Sequence, residues 1–277
     1  MIPAEFDYVA PETLDDAIRA LADGGEDAKL LAGGHSLLPL MKLRLAAPAL
    51  LVDLRRVPDL AGVRANGDVR IGAMTTHSAL ARANAALAST AAATIADQQV
   101  RNRGTIGGSL AHGDPASDLP AVVLAAEGTI VARGAGGERE IAAADFFRDY
   151  LETTLAADEV ITEIRLPGTE GWSFGYEKFN RRREDWAMVA VCALLRVEGG
   201  ACADVRIGLT HMGSTPLRAT AAEEALRGQP LQAGAIAAAA EQAAEGTSPP
   251  ADLNASADYK RHLARVLCRR ALERAAG

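Results

Sequence analysis

Two glycine turns constrain this chain more than any other feature. In the first, Lys29-Leu-Leu-Ala-Gly-Gly-His-Ser-Leu-Leu-Pro39, an apolar strand runs into Gly33 and Gly34, then Ser36, then a helical segment. The second is Gly104-Thr-Ile-Gly-Gly-Ser109, preceded by Gln98-Gln-Val-Arg-Asn-Arg103. Glycine permits positive φ and lets a ligand approach the backbone closely. Successive N–H groups can then converge on one anion, and a helix that follows adds the positive end of its dipole. Two such turns, each ending in a serine, suit a ligand with two phosphates held from both sides. Taken singly, either motif also reads as a plain turn. Ser36 can cap its helix or bind a phosphate oxygen. Neither turn has the G-x-G-x-x-G spacing of a dinucleotide fingerprint, and no Gly-Lys-Ser/Thr follows to make a P-loop. Gly134-Ala-Gly-Gly137 lies between two strand-like segments and reads as a hairpin loop.

Around these turns the periodicity alternates between strands and helices. Residues 12–23 read as a helix with Thr13 as N-cap and a Leu14, Ala17, Ile18, Leu21 stripe. Strands are expected over 29–32, 49–54 and 69–73, the last after an Asn66-Gly67 turn. Residues 37–44, 76–83, 87–100, 120–126 and 146–150 read as helical; 129–133, 138–141 and 160–166 read as strands. Pro167–Gly171 is a turn-rich break. Beyond it come three strands, 173–179, 187–197 and 203–212, and then three helices near 217–228, 231–245 and 256–275. Strands followed by helices predict an α+β second domain. There is no internal repeat.

Composition excludes several function classes. The 277 residues are 49% apolar, enough for a sizeable core and about two domains, and the net charge is −7. An acidic balance argues against a nucleic-acid partner, though not against a small phosphate-bearing ligand held by backbone N–H groups. Cys192, Cys202 and Cys268 are widely spaced, which predicts no iron–sulfur or zinc site from this chain alone and no disulfide framework. They read as buried small hydrophobes, in keeping with a cytoplasmic protein. No signal peptide is expected, and no apolar run reaches the ~18 residues of a membrane span.

At this point a family resemblance becomes specific. Ala-Gly-Gly-His-Ser-Leu-Leu-Pro-Leu-Met-Lys-Leu-Arg at 32–44, with Leu51-Val-Asp-Leu54, resembles the first FAD motif of the medium subunit of aerobic carbon monoxide dehydrogenase. Arg101-Asn-Arg-Gly-Thr-Ile-Gly-Gly-Ser-Leu-Ala-His-Gly-Asp-Pro-Ala-Ser-Asp-Leu-Pro120 resembles its second motif, and Phe179–Val189 its third segment. The same module occurs in xanthine dehydrogenases and related molybdenum hydroxylases. The resemblance covers nearly the whole chain, in the same order.

The resemblance implies an FAD-binding PCMH-type domain, similar to that of vanillyl-alcohol oxidase, over residues 1–170. It would hold two α+β subdomains, about 1–56 and 57–170. A CO dehydrogenase flavoprotein C-terminal domain, a three-stranded antiparallel sheet plus helices, would follow over 171–277. Ala32, Gly33, Gly34, His35, Ser36 and Leu37 would embrace the FAD pyrophosphate, with Gly104, Thr105, Ile106, Gly107, Gly108 and Ser109 closing from the other side. Thr76 and His77, in an Ala-x-Thr-Thr-His stretch, would lie near the flavin, as would Ile95. Asp118 would hydrogen-bond a sugar hydroxyl, beside its plainer reading as a helix cap. Trp186 would stand beside the isoalloxazine ring, beside its plainer reading as core. Met188 stands where xanthine dehydrogenases carry a lysine.

His112 and His211 read as structural, and the run Arg181-Arg182-Arg183 as a solvated face or a contact for an acidic partner. No catalytic side chain and no metal ligand is assigned to this chain. The implied function is electron transfer through FAD in a complex with a large molybdenum-cofactor subunit and a small 2Fe–2S subunit, as a dimer of heterotrimers. NAD or a quinone would be the acceptor. A free-standing FAD-dependent oxidoreductase, with His77 as the one candidate base, is the alternative; a flavin-free interaction module is the second.

Overall fold

The computed structural model describes residues 2–277. The chain opens on a parallel sheet of β1 (Asp7–Val9), β2 (Ala28–Leu31) and β3 (Leu50–Asp53), in the order β1-β3-β2. Parallel neighbours need crossovers. Helix α1 (Leu14–Gly24) joins β1 to β2, and α2 (Leu37–Lys42) joins β2 to β3. Helix α1 begins where the sequence predicts: Thr13 Oγ1 accepts the Asp16 N–H at 3.1 Å, and Ala17, Ile18 and Leu21 are buried. Strand β1 was not expected. All its residues are exposed, so it carries no apolar period; backbone pairing to β3 and a 2.7 Å bond from the Tyr8 hydroxyl to Asp53 hold it.

A second, antiparallel sheet follows. Its first hairpin, β4 (Val63–Asn66) and β5 (Asp68–Gly72), turns at Asn66-Gly67 as predicted, with Gly67 at φ +87°. Five short helices then run across one face: α3 (His77–Arg82), α4 (Ala86–Ala93), α5 (Gln98–Arg101), α6 (Ile106–His112) and α7 (Asp118–Ala125). The expected single helix over 87–100 is two. Ala96 at φ +39° breaks it, and Asp97 restarts it by accepting the Val100 N–H at 2.8 Å. The sheet resumes with β6 (Thr129–Gly134) and β7 (Gly137–Ala142), paired across the predicted glycine loop. The helical reading of 146–150 is corrected: α8 is Ala143–Phe146, and β8 (Phe147–Asp149) pairs with β9 (Glu152–Thr153). Phe146 is fully buried and anchors the helix end, and the chain turns at Leu151, φ +57°. Strand β10 (Val160–Leu166) completes the order β4-β5-β10-β6-β7.

The last sheet holds β11 (Trp172–Phe179), β12 (Val189–Glu198), β13 (Ala201–Thr210) and β14 (Leu217–Arg218), antiparallel and in sequence order. Three strands were expected. The fourth is two residues long and pairs with Gly208 and Leu209, which delays helix α9 to Thr220–Leu226. Helices α10 (Ala233–Glu241) and α11 (Ala257–Ala276) follow. Strand β12 is buried on both faces from Val189 to Leu195. Val189, Val191, Ala193 and Leu195 join the core under α11, whereas Ala190, Cys192 and Leu194 join the core built by the preceding sheet and α7. The carboxyl-terminal sheet is thereby one wall of the middle layer, a fact that matters for the site.

Among the described residues no helix is long and apolar enough to cross a membrane. All three cysteines are free and buried, and burial pushes the Cys192 and Cys268 thiols up to about 12. Native protein is expected to leave all three unmodified by a thiol-reactive dye at pH 8, with three reacting after unfolding in guanidinium; a fast-reacting thiol in the native state contradicts this burial.

The candidate cofactor cleft

Beyond the carboxyl ends of the small parallel sheet lies a cleft of about 640 Å³, the size and place in which parallel sheets bind ligands. Its floor is the first glycine turn. Gly34 takes φ +79°, and Ser36 stands at the N-cap of α2 with no capping hydrogen bond from its side chain. The hydroxyl therefore stays available to a ligand, and the cap reading is not the one the chain uses. Leu38 N–H closes back on the Gly34 carbonyl at 3.0 Å, but the N–H groups from Gly33 through Leu37 find no acceptor among the described residues. Consecutive unpaired N–H groups lining a cleft form an anion site.

The second turn plays a different part. Four of its N–H groups are committed: Ile106 to the Thr75 carbonyl at 3.1 Å, Gly107 to the Ala73 carbonyl at 2.8 Å, Gly108 to Thr105 Oγ1 at 3.2 Å and Ser109 to the Thr105 carbonyl at 3.0 Å. Its glycines serve close approach. A Cβ on Gly33 would stand 2.3 Å from the Arg103 carbonyl oxygen and 2.7 Å from Gly104 Cα, so the two turns meet backbone to backbone. A Cβ on Gly107 would stand 2.6 Å from that of Ala73. The sequence treats the turns as equivalent; in three dimensions one offers donors and the other builds the wall.

Of the residues singled out by sequence, Ala32, Gly33, Gly34, His35, Ser36, Leu37, His77, Ile95, Gly104, Thr105, Gly107, Gly108, Ser109, Asp118 and Trp186 line this one cleft. Thr76 and Ile106 stand behind it. Thr76 caps α3 and bridges to Thr105, and Ile106 is fully buried core. Trp186 is 57% exposed at the rim, which removes its reading as core. Met188 packs against the carboxyl-terminal core. His211 is structural, with Nδ1 2.9 Å from the Ala187 carbonyl oxygen and Nε2 3.2 Å from Lys260 Nζ. His112, read as structural, lines the cleft. Arg181, Arg182 and Arg183 are exposed, with Arg181 3.6 Å from Asp185.

Two titratable groups are placed unusually. His77 is 6% exposed and its Nδ1 has no hydrogen-bond partner among the described residues. Gly104 leaves room for its ring, since a Cβ there would stand 2.7 Å from His77 Cδ2. Burial, with smaller contributions from His35 and Arg101, pulls its pKa down to about 4, so the imidazole is neutral at pH 7. Asp118 is buried at the first position of α7, where Ser117 is the N-cap. Its Oδ1 accepts the Tyr176 hydroxyl at 2.5 Å and its Oδ2 accepts Lys178 Nζ at 2.9 Å. Neither Tyr176 nor Lys178 stood out in the sequence. The available signal was the alternation Tyr-Glu-Lys, which puts 176 and 178 on one face of a strand; that this face meets Asp118 is a tertiary fact.

A cleft with an anion-binding floor, an apolar interior, a neutral buried imidazole and an exposed rim tryptophan defines a site for a large phosphate-bearing cofactor. Residues 4–169 match the family described as FAD binding domain in molybdopterin dehydrogenase, and residues 174–275 match the CO dehydrogenase flavoprotein C-terminal domain. The chain is 43% identical to the carbon monoxide dehydrogenase medium chain of Hydrogenophaga pseudoflava, over 99% of this chain and 98% of that one. It is 39% identical to the 6-hydroxypseudooxynicotine dehydrogenase complex subunit alpha of Paenarthrobacter nicotinovorans, over 99% and 96%. A solved structure of carbon monoxide dehydrogenase from H. pseudoflava, lacking the Mo-pyranopterin moiety of its molybdenum cofactor, superimposes with a TM-score of 0.96 at 45% identity, covering 99% of this chain and 98% of that one. The fold and cleft are those of a flavoprotein component of an oxidoreductase. The chain belongs to the FAD-binding medium subunits of the molybdenum hydroxylase family, and its cofactor is FAD.

Proposed function

We propose that this chain carries electrons between a partner's 2Fe–2S clusters and an external acceptor by way of FAD held in the cleft. The observation that carries this reading is the run of N–H groups from Gly33 through Leu37 left unpaired at the floor of the cleft. These groups and the Ser36 hydroxyl hold the pyrophosphate; the second turn, Gly104 to Ser109, closes against it. Asp118 binds a sugar hydroxyl, Ile95 and Trp186 flank the rings, and His77 presents a neutral imidazole beside them. FAD, when bound, accepts and releases one or two electrons; the protein orients it and tunes it. Residues 1–170 form the FAD-binding domain and 171–277 the second domain, whose β11 strand contributes to the cleft wall.

A free-standing oxidoreductase would need a base poised near neutral pH. The candidate named from the sequence, His77, has a conjugate acid near 4 and is a weak base. The three cysteines are widely spaced and buried, and on this reading the clusters come from another subunit. We therefore assign a small 2Fe–2S subunit and a large molybdenum-cofactor subunit as partners, in a cytoplasmic dimer of heterotrimers with NAD or a quinone as acceptor. On this reading the large subunit binds the substrate; relatives of this chain are named for carbon monoxide and for 6-hydroxypseudooxynicotine.

Isolation of the tagged chain from its own host is the test. It is expected to bring down a large and a small subunit in equal amounts, with a flavin absorbance near 450 nm and iron–sulfur absorbance on the small partner. A chain that comes down alone with FAD and oxidises a donor by itself sinks the reading in favour of a free-standing enzyme. A chain without flavin in any preparation sinks both.

A further inference from the structure

Asp118 does not face the cleft alone. Lys178, from β11, lines the same wall, yet its side chain is only 6% exposed. Its Nζ donates to Asp118 Oδ2 at 2.9 Å and to the Thr94 carbonyl oxygen at 3.4 Å. An ammonium has three N–H donors, and these two acceptors account for two of them. An ammonium this deep is costly unless its donors are used. Tyr176, two residues earlier on the same face, already anchors the other carboxylate oxygen from behind, outside the cleft lining. A purely structural counter-ion for Asp118 had no need to stand at the cleft wall.

We propose that Lys178 is a cofactor-binding residue: its third N–H and the free lone pairs of Asp118 act together as a donor–acceptor pair that reads a sugar hydroxyl of FAD. This rests on the reading of Asp118 given above. A hydroxyl both donates and accepts, so it satisfies the pair in both senses. A phosphate oxygen or a ring carbonyl cannot donate to the carboxylate and is repelled by it. The wall at Asp118 and Lys178 thus selects hydroxyl, and the anionic part of the cofactor is left to the N–H groups of the first turn. The hydroxyl comes either from the ribityl chain or from the adenosine ribose.

The test is the FAD dissociation constant of the protein as isolated, with any subunits that accompany it, after flavin removal. Lys178→Met and Asp118→Asn are each expected to weaken FAD about 10- to 100-fold, the range of a lost hydrogen bond to a charged group. Gly136→Ala, whose Cβ would meet nothing within 4 Å, is expected to leave the affinity unchanged. FAD analogues lacking one ribityl or one adenosine-ribose hydroxyl supply the second arm. The analogue that lacks the hydroxyl in question is expected to bind the parent protein weakly and to bind Lys178→Met no more than about twofold worse again; which analogue does so identifies the source.

If Asp118→Asn weakens FAD and Lys178→Met does not, the proposal falls and the reading of Asp118 stands. If neither does, both fall. If Lys178→Met weakens FAD and every analogue by the same factor, Lys178 does not read a hydroxyl and the proposal falls. Circular dichroism and thermal melting confirm folding of each variant. If Lys178→Met does not fold, Lys178→Gln, which keeps N–H donors without the charge, is carried through the same comparison.

Discussion

Gly33→Ala is expected to give a folded chain that has lost most of its flavin. The methyl group would stand 2.3 Å from the Arg103 carbonyl oxygen and 2.7 Å from Gly104 Cα. Both are backbone atoms of the opposite turn, which no rotamer change can remove. Overpacking of this kind costs about 1–3 kcal/mol, and the relief available is to push the two turns apart. That moves the N–H groups of Gly33 to Leu37 relative to the wall built by Gly104 to Ser109, and charge-assisted hydrogen bonds depend steeply on such geometry. We expect flavin content to fall to about a tenth or less and the melting temperature by several degrees. Gly136→Ala is the control. It lies in the hairpin loop between β6 and β7, its Cβ would meet nothing within 4 Å, and its flavin content should match the parent's. A Gly33→Ala protein with full flavin, judged by the ratio of absorbance at 450 and 280 nm, would show that the turns do not need their close contact.

What could be read from the sequence divides along local and non-local lines. Helix α1 was legible because its cap, its first-turn acids and its apolar stripe lie within a dozen residues. The β4–β5 hairpin was legible because Asn66-Gly67 specifies its own turn. The glycine motifs were legible as turns running into helices for the same reason, and their length made the family resemblance specific. The missed strands are all decided by backbone pairing, which composition does not show. Strand β1 exists because β3 pairs with it, 43 residues on from Asp7 to Leu50. The segment after Phe146 becomes a strand because a hairpin closes at Leu151, against the expectation from composition. Strand β14 exists because β13 has a free edge.

The site shows the same division. The two turns looked alike because each was read against its own neighbours. Their difference comes from Ala73 and Thr75, whose carbonyls take the N–H groups of Gly107 and Ile106 across more than 30 positions of sequence. Lys178 was invisible because β11 reaches Asp118 only when the carboxyl-terminal sheet folds against α7. A residue contributed by a second sheet to a cleft built mainly by the first needs tertiary structure to be seen.

The buried His77 gives the second large expected effect, a loss of stability in mild acid. Its pKa in the folded chain is about 4 against an ordinary 6.5. In the unfolded chain the ring takes up a proton as pH falls through 6.5; in the folded chain it resists until about 4. The unfolded state therefore binds more protons over that window, and folding weakens as pH falls. Its contribution is fully present above about pH 6.5 and is lost progressively down to about pH 4, by roughly 3 kcal/mol for a shift of this size. His112, whose pKa is also lowered by burial, acts in the same sense. The groups that face His77 are His35, which is exposed, and Arg101, whose guanidinium is tied to the Ile95 and Ala96 carbonyls. His77→Phe isolates the effect. It keeps an aromatic ring against Gly104, removes the titration, and strands no protein partner of Nδ1, because there is none among the described residues. Urea midpoints of the flavin-depleted chain at pH 7, 5.5 and 4.5 should fall steeply for the parent and much less for His77→Phe, with the two proteins within about 1 kcal/mol of each other at pH 7. Parallel decline of both would mean that the acid sensitivity resides elsewhere and that the imidazole is better solvated than its burial indicates.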